Sequence, residues 1–174
     1  ATIFLATDFI ETDRLFWFLK AGILLSEGDF SDQNIDRAFS SLLVTYPQDA
    51  SELHAGVHLL KTESRNQDAI MEWLKRFEPE MIEEIINTLA NTAGIEWTDW
   101  SGEPWTVSWS EIREMDRDIV EFGSHGCSHG ILTRLQHEQV TRELAESKRR
   151  LEVELDHEIT LFAYPNGAYN ANVK

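Results

Sequence analysis

Two histidines four residues apart, His125 and His129, stand in "FGSHGCSHG", residues 122–130, among glycine, serine and the chain's one cysteine. Two neutral imidazoles held close together supply two nitrogen ligands to a divalent ion such as Zn²⁺ and leave positions for a carboxylate and a water. Small residues between them let the backbone curl so that both rings converge. A turn whose imidazoles satisfy backbone groups has the same composition, and spacing alone does not separate the two readings. A second HxxxH pair, His54 and His58 in "LHAGVH", falls in a helical pattern beside Leu53, Val57 and Leu59 and lacks the glutamate of HExxH. It reads as an ordinary stretch of helix. Cys127, between the two loop histidines, is expected to point away from their common focus as a packed or partly exposed thiol. His137 and His157 flank a helix and read as surface residues.

The elements that must position these residues follow from periodicity. "ATIFLA" opens the chain as a continuous apolar, partly β-branched run, the pattern of a buried parallel strand. A helix is expected in "ETDRLFWFLKAGILL", with Thr12 or Asp13 as N-cap, and another in "SDQNIDRAFSSLLV", capped by Ser31 or Asp32. "DASELHAGVHLL", "NQDAIMEWLKRF" and "PEMIEEIINTLANTAG" give three more, the last starting at Pro79 and stopping at Gly94. After a Trp-rich connector, Ser108 and Glu111 form a capping-box pattern. "IVEFGS" reads as a second strand, Ile119 to Phe122, "HEQVTRELAESKRRLEVEL" as a long amphipathic helix, and "ITLFAYP" as a third strand ending at Pro165. Apolar strands alternating with helices predict an α/β fold with a parallel sheet. In such folds the residues following strand C-termini line the site. His125 and His129 follow the second strand; Tyr164, Pro165, Asn166 and Gly167 follow or end the third.

Composition narrows the function classes. With 42% hydrophobic residues in 174, the chain has enough apolar material for one sizeable core or a core with an attached subdomain. Its formal net charge of -16 repels polyanions and disfavours a nucleic-acid or anionic-membrane role. A single cysteine allows no intramolecular disulfide and no zinc ribbon. No apolar run approaches the roughly 18 residues of a membrane span, and no transmembrane segment is expected. A chain opening inside a strand pattern without methionine is expected to be part of something longer.

"SWSEIREMDRDIVEFGSHGCSHGILTRL", a helix, and then "LFAYPNGAYN" resemble the polysaccharide deacetylases, the NodB-homology or carbohydrate esterase family 4 enzymes. "ATIFLATDFIETDRLFW" is similar to the segment that follows their first catalytic strand. The resemblance spans residues 1 to 17 and about 105 to 174. It implies part of an irregular (β/α) barrel of the NodB deacetylase type from residues 1–10 and 105–174, with a large helical insertion and Trp-rich connector over 11–104. It also implies that His125 and His129 ligate a catalytic divalent metal, zinc before cobalt or nickel. The family's RxPYG loop falls on Ala163 to Gly167. There the Asn166 backbone N–H resembles the donor that stabilises the tetrahedral oxyanion, Pro165 shapes the acceptor groove, and Tyr164 and Gly167 complete the substrate loop.

Departures from the family pattern are Gly126, where Ser or Thr is usual, Gly130 for Pro, Ala163 for Arg and Asn166 for Tyr. The TFDDG motif, source of the catalytic base and the aspartate ligand, is nowhere in the chain, and Asp8 in "ATDF" follows the wrong strand to replace it. No catalytic base or acid is therefore assigned; both are expected outside this chain, as for an incomplete, inactive fragment. The resemblance implies a polysaccharide or oligosaccharide substrate, with N- and O-acetyl groups both open, and favours the cell envelope. The contrasting reading is a non-catalytic carbohydrate-binding or scaffolding module on a degenerate deacetylase fold. Trp97, Trp100, Trp105 and Trp109 fit sugar stacking, although core and interface packing explains tryptophans as well.

Overall fold

The computed structural model describes residues 1–63, 66–97, 105–115 and 119–173. In chain order these form β1 (Thr2–Leu5), α1 (Trp17–Glu27), α2 (Asp32–Thr45), α3 (Ala50–Glu63), α4 (Gln67–Leu74), α5 (Pro79–Ala93), α6 (Trp109–Glu114), β2 (Glu121–Ser124) and α7 (His137–Leu155). The fold is mixed α/β and rich in helix. It divides into two compact units, Ala1–Leu15 with Ser101–Lys174, and Phe16–Trp100.

In the helical unit α2 packs on α3 and α5, and α1 packs on α5. Ile35, Phe39 and Leu42 of α2 meet Leu53 and Leu60 of α3 and Ile82, Ile85 and Ile86 of α5 in a fully buried core. The helix signals act as expected at α2, where the Ser31 hydroxyl accepts the Asn34 N–H, and at α5, which starts at Pro79 and ends on left-handed Gly94. α1 starts three or four residues later than its pattern predicts. Thr12 does not cap it; the hydroxyl donates to the Phe9 carbonyl at 3.0 Å and closes a turn instead. Ile10 joins the core of the mixed unit, and Phe9 and Leu15 are buried and fall in that unit, whereas Trp17, Ala21 and Leu24 join the helical core.

In the mixed unit β1 and β2 run parallel, with Phe4 opposite Gly123 and Leu5 opposite Ser124. A Cβ at Gly123 would lie 2.6 Å from the Phe4 ring, so the glycine leaves room for that ring to cross the strand. Leu5, Ile10, Trp109, Ile112, Phe122, Leu151, Leu155 and Ile159 form the core beneath the pair. β2 begins two residues later than predicted, and Ile119 is 65% exposed. β1 is less buried than its composition predicts, with Ile3 at 37% and Phe4 at 38% exposure, because only Leu5 faces that core. The Ser108–Glu111 capping box forms as predicted and opens α6.

The expected third strand is reduced to one parallel bridge, Ser124 to Phe162. Ser124 N–H donates to Leu161 and Ala163 N–H donates to Ser124. On one side the pairing stops because α7 occupies the backbone of Ile159. Its N–H donates to Glu152 at 3.1 Å, and its carbonyl accepts the Lys148 ammonium at 2.6 Å. On the other side Pro165, which has no N–H to offer, begins a short 3₁₀ turn to Gly167. Among the described residues, therefore, two strands and a bridge stand where three strands are expected.

Candidate metal centre

β2 ends at Ser124, and the chain enters the histidine loop with its backbone still paired to the continuation of β1. His125 N–H donates to the Leu5 carbonyl, Thr7 N–H to Gly126, and Asp8 N–H to Cys127, at 2.9 to 3.1 Å. Sequence neighbours and sheet pairing together thus fix one side of the loop. Gly126, at φ 81°, provides the left-handed backbone the turn requires.

The two imidazoles converge. Their ring centres are 4.7 Å apart in an edge-to-face arrangement. His125 Nδ1 lies 2.8 Å from the Ala163 carbonyl, which accepts only, so Nδ1 carries the proton and Nε2 of a neutral ring keeps its lone pair. That bond also brings the end of the 159–165 segment to the first histidine. His129 sits at φ 58°, a left-handed conformation costing a non-glycine residue about 1 kcal/mol. Asn166, in the neighbouring loop, has φ 56°. Strained backbone of this kind clusters at ligand sites.

Burial is the first cause, and the nearby His125 the second, that pull the His129 pKa from 6.5 to about 4. The ring is therefore neutral at physiological pH, the form that ligates metal. Stability of the metal-free protein carries the matching signature. Between pH 6.5 and about 4 the unfolded ring binds a proton that the folded one refuses, so stability falls as pH drops through that window and levels off below it. The whole shift corresponds to roughly 3 kcal/mol, which solvent around a half-buried ring reduces to about 1–2 kcal/mol. Urea unfolding at pH 7 and pH 4 reads this loss, and His129→Gln should remove it. An equal loss in the variant rejects the assignment.

Cys127 is buried, its thiol near the Glu143 main-chain carbonyl at 3.7 Å. Burial raises its pKa above the ordinary thiol value, against a smaller opposing pull from the Thr7 hydroxyl, so it remains protonated. Asp8 lies 3.9 Å from both Arg14 and Arg150. Among the described residues no three His, Cys, Asp or Glu side chains gather as a metal-holding group. The donor set these residues offer is two imidazoles without a carboxylate.

Of the substrate-loop residues, Pro165 is buried, Asn166 and Gly167 are exposed, and the Tyr164 hydroxyl donates to the Val173 carbonyl at 3.0 Å. Tyr164 also packs edge-on against Phe162. Of the four tryptophans read as sugar-stacking candidates, three lie among the described residues, Trp97 in the helical unit and Trp105 and Trp109 in the mixed unit. Trp97 donates to Asn87 at 2.9 Å against the helical core, while Trp109 is buried in the mixed unit beneath Arg150. Trp105 is 44% exposed, and Trp100 lies outside the described residues. His54, His58, His137 and His157 are all exposed.

Two imidazoles thus stand at the C-terminal end of parallel strands, beside a proline-led loop. The family model described as polysaccharide deacetylase matches residues 77–174, and the chain belongs to that family. The match covers both loops and begins near the start of α5, after the residue 1–17 segment. No curated protein and no solved structure matches the chain significantly. Deacetylation by hydrolysis is the activity the family membership supports. Among the described residues no helix is long and apolar enough to cross a membrane.

Proposed function

We propose that the chain carries the histidine half of a metal-dependent deacetylase site acting on N-acetylated sugars of a polysaccharide, on a partial NodB-type (β/α) barrel. The observation that carries this reading is the pairing of His125 and His129 at 4.7 Å, with the first ring tethered to Ala163 and the second neutral. In this reading residues 1–10 and 105–174 belong to the catalytic fold, and 11–104 are a helical insertion with its connector. A divalent ion, zinc first among candidates, would polarise the acetyl carbonyl and acidify a water when bound.

The chain's own residues hold and orient. His125 and His129 provide two nitrogen ligands, and the Ala163 carbonyl fixes the tautomer of the first. The Asn166 N–H, in a loop started by buried Pro165, supplies a donor for the oxyanion. Tyr164 and Gly167 complete that loop and its contact with the sugar chain. No residue is assigned as base or acid, since no carboxylate gathers with the histidines among the described residues.

The same shortage favours a second reading, a carbohydrate-binding or scaffolding module on a degenerate deacetylase fold. Acetate release from N-acetylglucosamine oligomers tests both. The 174-residue chain with added Zn²⁺ is expected to give no rate above the metal-only control, since two imidazoles without a base form an incomplete hydrolytic site. A rate that His125→Ala removes contradicts that incompetence. Oligomer binding that survives both His125→Ala and chelation favours the binding module.

A further inference from the structure

We propose that Glu143 is a positioning residue for the histidine pair, its carboxylate reaching from α7 to hold the loop between His125 and His129 in shape. This rests on the metal-site reading above. Glu143 Oε2 accepts the backbone N–H of Cys127 at 2.7 Å and of Ser128 at 3.0 Å. Oε1 accepts the Ser128 hydroxyl at 2.7 Å and a longer bond from the Ser128 N–H at 3.3 Å. One carboxyl side chain thus accepts from every donor of Cys127 and Ser128 except the thiol. Charge-assisted bonds of this kind are roughly twice as strong as neutral ones, and successive N–H groups form an anion-binding concavity.

The clamp is itself anchored. The Ser147 hydroxyl, one turn along α7, donates to the Glu143 carbonyl at 2.6 Å, and Ser124 at the end of β2 donates to Ser147 at 2.7 Å. Gly126 N–H then donates to Ser124 Oγ at 3.2 Å. Ser124 and Ser147 are buried, so this relay ties strand end, loop and helix together. Gly126 completes the fit, because a Cβ there would stand 2.7 Å from Glu143 Oε2. With β1 pairing on one side and Glu143 on the other, the loop has little freedom to separate the two rings. Glu143→Gln replaces one accepting oxygen with a donating NH₂ that opposes the loop's N–H groups. The core residues of α7, Val140, Leu151 and Leu155, are untouched by that change.

Two measurements on the full chain test this, both on a His54→Ala/His58→Ala background so that the exposed helical pair cannot chelate. In the metal-free protein, amide exchange at Cys127 and Ser128 is expected to accelerate about 10-fold or more in Glu143→Gln, with the α7 amides unchanged. Calorimetric titration with Zn²⁺ alone, well below the unfolding range of both proteins, is expected to show affinity falling about 10-fold in Glu143→Gln. Gly126→Ala, acting from the loop side, should move affinity the same way. In His125→Ala, adding Glu143→Gln should change nothing further, because the effect passes through the imidazoles. Unchanged exchange in Glu143→Gln overturns the clamp. Faster exchange with unchanged Zn²⁺ affinity overturns the positioning role. Absence of His125-dependent Zn²⁺ binding in the parent chain rejects the metal-site reading and the positioning role with it, a result the exchange arm separates from failure of the clamp.

Discussion

Replacing His125 with Ala is expected to weaken Zn²⁺ binding by the chain at least about 10- to 100-fold, down to the level of scattered surface sites. The expectation is large because the described residues offer only a pair of converging imidazoles, and removing one leaves a single nitrogen with no chelate partner. His125 is also the ring with a fixed tautomer, held by Ala163 at 2.8 Å, so it is the better organised of the two ligands. Folding should survive, since the ring is half-buried and lies outside the apolar clusters. Calorimetry on the His54→Ala/His58→Ala background makes the comparison clean. Equal Zn²⁺ affinity with and without His125 removes the central support for the metal site.

Trp73→Ala is expected to destabilise the helical unit by about 3–5 kcal/mol. Trp73 is 3% exposed, touches the Phe39 and Phe77 rings, and donates from its indole nitrogen to the Glu52 carbonyl at 2.9 Å. Its ring lies against Gly56 of α3, where an added Cβ would meet it at 2.1 Å. Gly56→Ala, which elsewhere in a helix gains up to about 1 kcal/mol, should here lose about 1–3 kcal/mol through overpacking. Urea unfolding followed by circular dichroism reads both, independently of the indole lost. A stabilising Gly56→Ala shows that the indole does not lie against that turn of α3.

His125 was available from its motif and from its place after an apolar run. The Trp73–Gly56 contact was not, because a glycine inside a helical pattern reads as a weak point until the ring that fills its space is known. Glu143 is the sharper instance. In "TRELAESK" it is one of two acids, and its partners Cys127 and Ser128 have no side-chain pattern that calls for a carboxylate. The one available signal was the Glu143–Ser147 spacing of one helical turn, which places both on the face toward the loop.

By itself the sequence determined the features whose partners lie within one turn or in one motif. Ser31 and Ser108 cap helices through bonds three residues away, Pro79 and Gly94 bound α5, and the two site loops declare themselves after apolar runs. Tertiary structure decided where competing partners share the same groups. It sent Leu15 to the mixed unit and delayed α1, and it gave the backbone of Ile159 to Lys148 and Glu152 rather than to a third strand. It also closed the histidine loop on Glu143, 15 residues beyond Ser128. The physical reason is common to all three. A backbone group or an apolar side chain takes whichever partner satisfies it at least cost, and that choice depends on what the whole fold brings within reach.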